Sequence, residues 1–229
     1  MLKIISQYLL IMNNVVSSTI CIIGHFGIGK SSLVSSFMFG TFSKKTESTI
    51  GMCYLNKLIK NENYNINLNI WDTAGQERYA PLLPMYTRDA DVILAVIDPT
   101  QEQQSINYVN NVLNNVLECR TNNPPFGVHV VISKVDTQEN LEKCEKIAEK
   151  VKENIEDILF NTNNSFTDVS LFYTSSKQNF NTDLPFLESL EKIYREKNPI
   201  IPQNEEKDPL LVHILNNNEN QNKYSCNSC

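Results

Sequence analysis

Eight consecutive residues, Gly24-His25-Phe26-Gly27-Ile28-Gly29-Lys30-Ser31, satisfy the spacing G-x-x-x-x-G-K-[ST]. Such a run can hold a chain of phosphates. Closely spaced glycines let backbone N–H groups turn inward, and a helix starting at the lysine adds the positive end of its dipole. Lys30 supplies a mobile cation for the β- and γ-phosphates, and the Ser31 hydroxyl is a hard ligand for Mg²⁺. The chain has only seven glycines in 229 residues, three of them in this run, which argues against a chance match. A second group, Trp71-Asp72-Thr73-Ala74-Gly75-Gln76, has the chemistry to complete the first. An aspartate at a strand end can hold Mg²⁺ through water, and a glycine three residues later can present its N–H to a γ-phosphate. Gln76 is then placed to orient an attacking water. Between the two, Thr49 offers a second hydroxyl to the metal, and that contact would make its segment a switch.

These groups need strands to carry them to one edge. Val15 to Ile23 is β-branched and apolar and runs into the glycine-rich loop. Tyr64, Ile66, Leu68 and Ile70 alternate with asparagines, predicting a half-exposed strand paired to Met52–Ile59 through a turn at Asn61-Glu62-Asn63. Val92–Ile97 and Val128–Ile132 are continuous apolar runs, typical of parallel strands buried on both faces, and Ser170–Tyr173 predicts one more. Helical stripes intervene: Ile106, Val109, Leu113 and Val116; then Leu141, Cys144, Ile147, Val151, Ile155 and Ile158; then Leu187, Leu190 and Tyr194, with Asp183 as N-cap. The alternation predicts an α/β layer architecture. Asparagine runs read as loop filling, and no internal repeat is present.

Composition excludes several classes. The net charge of −6 leaves no basic stripe for nucleic acid, so none is expected as a partner. With 41% hydrophobic residues the chain can build a core, and no run reaches the 18 apolar residues of a membrane span. Residues 1–12 are apolar but interrupted by Lys3, Ser6 and Gln7, and they lack a small-residue cleavage site. The initiator Met is followed by Leu2, where N-myristoylation requires glycine. They read as an N-terminal extension, or as lying before a true start at Met12. Cys21, Cys53, Cys119 and Cys144 sit in apolar-patterned segments without metal spacing and are expected as buried free thiols in a reducing compartment. The expected organisation is an extension over 1–14, one domain over 15–198 and a polar tail over 199–229.

Together the motifs resemble the Ras superfamily of small GTPases, specifically the Rab family. Ser48-Thr49-Ile50-Gly51-Met52-Cys53-Tyr54 is similar to the Rab switch I, and Trp71–Tyr79 with Pro84-Met85-Tyr86 is very close to switch II of the early-endosomal subfamily. The resemblance runs from about Val15 to Lys197 and weakens between Asp136 and Val169. It implies a single P-loop GTPase domain: a six-stranded, mostly parallel sheet with one antiparallel strand, helices on both faces, and the nucleotide at the strand C-termini. It implies GTP and GDP as ligands, Mg²⁺ held by Ser31, Thr49 and (through water) Asp72, and catalysis by Gln76 and Lys30. Gly27, Ile28, Gly29, Lys30, Ser31 and Ser32 would hold the phosphates with Thr49 and Gly75, and Phe42 would pack edge-on to guanine. Ser133-Lys134-Val135-Asp136 resembles the family's N-K-x-D, in which the aspartate reads two guanine donors; an ATP-using protein would require Asp136 to be coincidental. Thr174-Ser175-Ser176-Lys177 resembles the final S-A-K loop, with Ser175 bracing Asp136 and the Ser176 N–H meeting the guanine keto oxygen. Ile50, Tyr54, Trp71 and Tyr86 would face effectors, ordinary core packing being the other reading of the three aromatics. Further implied partners are an exchange factor, a GTPase-activating protein, a dissociation inhibitor, and a prenylation escort with its prenyltransferase.

Three departures qualify the resemblance. Ser133 replaces asparagine and lacks the amide's simultaneous donor and acceptor. At about 0.5–1.5 kcal/mol per bond, guanine nucleotide should bind about threefold to a hundredfold more weakly. Phe26 stands where the family favours a small residue, predicting slow hydrolysis or, in an alternative reading, a GTP-binding module with little or none. The stretch from Asp136 to Ser175 is about a dozen residues longer than usual in the family. In the tail, Cys226 and Cys229 allow prenylation, and Leu210–Leu215 resembles the motif offered to the escort. The expected location is the cytoplasmic face of endosomal or other vesicle membranes, with a cytosolic pool, and the expected role is endocytic traffic.

Overall fold

The computed structural model describes residues 15–43, 49–60, 65–120, 123–136, 138–164 and 167–198. It divides the chain into Met1–Lys197 and Asn198–Cys229. Apart from Asn198, the second unit lies outside the described residues, as do residues 1–14, the turn at Asn61-Glu62-Asn63, Cys226, Cys229 and Leu210–Leu215.

Six strands build one sheet: β1 (Val15–Ile23), β2 (Met52–Lys60), β3 (Asn65–Thr73), β4 (Val92–Ile97), β5 (Gly127–Ile132) and β6 (Leu171–Tyr173), in the order β2-β3-β1-β4-β5-β6. Only β2 runs antiparallel to its neighbour β3. Every residue of β4 and of β5 is buried, as continuous apolar runs require. In β3, Ile66, Leu68 and Ile70 point inward and the asparagines between them are half-exposed.

Helices cover both faces: α1 (Lys30–Phe39), the short α2 (Leu83–Thr87), α3 (Glu102–Glu118), α4 (Gln138–Asn161) and α5 (Leu184–Lys197), with 3-10 turns at Glu77–Leu82 and Pro99–Gln101. Cys21 and Ile23 pack with Ile93, Ala95 and Ile97 against Val109, Leu113 and Val116 of α3 and Ile147, Val151 and Ile155 of α4. Because strand side chains alternate, Ile20 and Ile22 serve the opposite face, where α1 and α5 lie and Phe37 stacks on Phe186 at 4.1 Å.

Several expectations change here. The buried face of α5 is Phe186, Ser189, Leu190 and Ile193; Leu187 and Tyr194 are only half-buried, because Pro185 and Phe186 begin the inward stripe earlier. Cys21 and Cys144 are buried free thiols, but Cys53 and Cys119 are exposed: one lies on an edge strand, the other at the C-cap of α3. Asparagine is more than filler. Asn163, Asn179 and Asn181 hold left-handed backbone, with φ of 58°, 52° and 51°, a conformation asparagine tolerates better than most residues.

Candidate functional site

The parallel strands end in register, with Ile97 beside Ile132 and Ile132 beside Tyr173. Their following loops therefore meet at one edge, where the chemistry-bearing residues collect. The Gly24–Gly29 loop leaves β1 and enters α1 through Gly29, whose left-handed φ of 102° tightens the turn. The N-terminus of α1 has no side-chain cap and no acid in its first turn, so its first N–H groups remain available to an anion. Lys30 folds back over the loop, and its Nζ donates to the carbonyls of Gly24 and His25, at 2.9 Å each. An ammonium has three protons, so one remains for a further acceptor. Burial pulls the Lys30 pKa down to about 8, against the attraction of Asp72. A desolvated cation in an uncapped anion cradle is a phosphate partner in waiting.

Ile22 pairs with Asp72 across β1 and β3, which sets the Asp72 carboxylate beside that loop. Ser31 Oγ donates to Asp72 Oδ2 at 2.6 Å and lies 2.9 Å from Thr49 Oγ1. Since the serine has one proton and gives it to Asp72, the Thr49 hydroxyl donates to Ser31. Asp72 Oδ1 is buried and accepts nothing among the described residues. Burial pushes the Asp72 carboxyl above its usual range, opposed by the Ser31 hydrogen bond and by Lys30. Two hydroxyls and an orphaned carboxylate oxygen form a hard-oxygen set that fits Mg²⁺. Gly75 stands against the same loop: a Cβ there would lie 2.4 Å from the His25 carbonyl carbon and oxygen. Gln76 follows at the start of the 3-10 turn, half-buried. Phe26, in the same loop, is 46% exposed.

Beside the phosphate loop opens a cavity of about 250 Å³, lined by Gly29, Ser32, Phe42, Ser133, Lys134, Asp136, Ser176 and Lys177. Four segments distant in sequence thus line one pocket. Ser175, fully buried, donates from Oγ to Asp136 Oδ1 at 3.3 Å, and Lys177 Nζ donates to Oδ2 at 2.8 Å. The Lys177 bond leads the causes that hold the Asp136 carboxyl below its usual range, so it stays ionised to accept N–H donors. Ser133 Oγ lies 2.7 Å from the Ile28 carbonyl and 3.0 Å from that of Ile97; its single proton serves the framework. Lys134 sits in left-handed backbone, φ 58°, and its Nζ donates to the Gly27 carbonyl at 2.8 Å.

Two buried charged residues escaped sequence reasoning, Asp98 at this edge of the sheet and Arg120 at the opposite edge, where β4 begins. Asp98 follows β4, is fully buried and receives Lys134 Nζ on Oδ2 at 2.7 Å. Its signal was an acid directly after the buried run Val92–Ile97. Arg120, buried at the end of α3, donates to the carbonyls of Thr87, Ala90 and Asn123 and so ties α2 to α3.

On the outer surface, Tyr54, Trp71 and Tyr86 come together from β2, β3 and α2, with ring centroids 4.6 Å (Tyr54–Trp71) and 5.8 Å (Trp71–Tyr86) apart. Tyr54 is 51% exposed and Ile50 80%, while Trp71 and Tyr86 also rest on the core. Among the described residues no helix is long and apolar enough to cross a membrane.

The Ras family model matches residues 19–195. Ras-related protein Rab-22A of Homo sapiens is 32% identical over 72% of this chain and 84% of its own, as is its Mus musculus counterpart. GTP-binding proteins YPT53 and YPT52 of Saccharomyces cerevisiae are 46% and 42% identical over shorter stretches, 36% and 42% of this chain. Those stretches span less than half of each yeast protein, 38% of YPT53 and 45% of YPT52. A glycine-rich loop, a hard-oxygen cluster and a pocket on one sheet edge meet these matches in a single conclusion: the chain belongs to the Ras family, as a Rab-family small GTPase of the early-endosomal type.

Proposed function

We propose that this protein is a GTP/GDP-switched regulator of endocytic vesicle traffic that hydrolyses GTP slowly to GDP and phosphate. The observation that supports the proposal is the Ser31–Thr49–Asp72 cluster with its orphaned Asp72 oxygen, at the start of α1 where the glycine-rich loop ends. In this reading Gly27, Ile28, Gly29, Ser31 and Ser32 bind the phosphates, and Lys30 turns its remaining proton to the β- and γ-oxygens. Phe42, Lys134, Asp136, Ser175, Ser176 and Lys177 hold guanine. Ser31 and Thr49 would hold Mg²⁺ directly and Asp72 through water; the ion would neutralise phosphate charge. Gln76 orients the attacking water, and the Gly75 N–H meets the γ-phosphate. Positioning and electrostatics do most of the work in phosphoryl transfer, so no residue here needs a titrating role.

Thr49 and Gly75 contact the γ-phosphate end only while it is present, so GTP orders both switch segments and GDP releases them. Ile50, Tyr54, Trp71 and Tyr86 then form the effector-facing surface. The domain proper spans 15–198, after a 1–14 extension. The 199–229 tail carries prenyl groups on Cys226 and Cys229 that hold the protein on the cytoplasmic face of endosomal membranes, and the dissociation inhibitor maintains a cytosolic pool. Two lipids are needed for stable anchoring, because the tail offers no polybasic support.

Phe26 is the reason for the slow rate. It lies within the Gly24–Gly29 loop and is 46% exposed, so its ring would crowd Gln76 and an activating arginine, which is worth about 10³–10⁵ in rate. Single-turnover hydrolysis of preloaded GTP is the test. The parent should turn over slowly and Phe26→Gly should run faster, most of all with an activating protein. Equal rates would discard the role of Phe26. Binding of ATP as tight as GTP would discard the guanine assignment. Chelation with EDTA should speed GDP release, and an indifferent rate would remove the metal from the reading.

A further inference from the structure

We infer that Asp98 is a positioning residue for nucleotide retention, acting through Lys134; the inference rests on the guanine-nucleotide reading above. The two residues form a charge pair of 2.7 Å in which the aspartate side chain is wholly buried and the lysine is 41% exposed. A buried carboxylate is costly unless every lone-pair direction is served. Here Oδ1 accepts the Thr100 N–H at 2.9 Å and the Thr100 hydroxyl at 2.7 Å, while Oδ2 accepts Lys134. The carboxylate is therefore clamped before it meets the lysine and fixes where the ammonium can sit. From that point the same Nζ reaches the Gly27 carbonyl. The Lys134 stem lies along Gly29, its Cε 3.9 Å from where a Cβ would stand, and lines the base cavity. One carboxylate thus pins a side chain that is at once a wall of the base pocket and a strap over the phosphate loop.

The strap carries more weight here because of Ser133. Its lone hydroxyl proton is shared between the Ile28 and Ile97 carbonyls, 2.7 and 3.0 Å away, and no second donor remains to bind base and loop together. The Lys134–Asp98 pair is then the charged link between base side and phosphate side. Asn at position 98 would offer either its amide N–H₂ to an ammonium, donor against donor, or its oxygen with the loss of Thr100.

The test is release of a fluorescent GDP from the full-length protein, its Asp98→Asn and Lys134→Met variants, and the double variant. Release from Asp98→Asn should be faster by about tenfold or more, the scale of a charge-assisted hydrogen bond. The double variant should release no faster than Lys134→Met alone. A parent rate in folded Asp98→Asn overturns the inference, as do additive effects, which would mean that Asp98 acts on the fold and not through Lys134. Should Asp98→Asn not fold, Thr100→Val reads the same clamp: a severalfold faster release that disappears beside Lys134→Met supports it, and an unchanged or additive rate overturns it. If the parent itself holds no fluorescent GDP, the guanine reading falls first, and the inference with it.

Discussion

Ser133 illustrates how one side chain redistributes work at residue scale. A hydroxyl gives one proton, and here the phosphate-loop and β4 carbonyls take it, whereas an asparagine amide could serve the framework and the ligand together. Ser133→Asn should therefore tighten GDP binding by about threefold or more, measured by calorimetry, the scale of one regained hydrogen bond. No gain would mean that the cavity leaves no room for the amide beside Ile28. That Lys30, Ser31 and Asp72 would converge was legible in the spacing of their motifs, whereas Thr49 and Asp136 were singled out by the motifs beside them and by the resemblance those carry. Asp98 was not, because its role depends on a lysine 36 residues away that turns toward it in space.

At the scale of elements, Arg120 is the buried cation that holds α2 to the end of α3 through three carbonyls, each at 2.8 Å. Burial lowers its pKa, and nearby Asp91 and Asp89 oppose the shift. Arg120→Ala leaves three acceptors to find other partners. It should cost about 3 kcal/mol in urea unfolding, the range of hydrogen bonds to charged groups. It should also loosen the segment after Gln76, visible as faster amide exchange over Leu83–Thr87. Strand positions were readable from β-branched runs and from the alternation in β3, because burial on one or both faces dictates those patterns. The α5 face was misread by one step, since a three-residue stripe does not distinguish Leu187 from Phe186 until the sheet it packs on is known. The exposure of Cys53 and Cys119 was equally illegible. Pattern marks a residue as apolar, but only topology makes β2 an edge.

For the whole molecule, acid stability is set in part by His129. It is buried in β5, edge-on to Phe172 at 5.7 Å, with neither ring nitrogen partnered among the described residues. Burial takes its pKa down to about 4, with Asp168 raising it and Lys192 lowering it. The unfolded chain therefore takes up this proton near pH 6.5 and the folded one only near 4. The stability tied to His129 is complete above pH 6.5 and is lost as pH falls from 6.5 to 4. Between about pH 7 and pH 5 the loss should be about 2 kcal/mol, from linkage of the two values. Chemical unfolding across that range should show a shallower slope in His129→Leu, and an unchanged slope would assign the acid sensitivity elsewhere.

Trp71 is the only tryptophan in the chain, and it lies between Tyr54 of β2 and Tyr86 of α2. All indole emission thus originates at a single point bordered by both proposed switch segments. The protein carries its own optical gauge: an unlabelled sample should change colour or intensity when GDP is exchanged for a non-hydrolysable GTP analogue. Tyr86→Leu should mute the change, and the time course of the signal would follow hydrolysis turnover by turnover, with no dye attached.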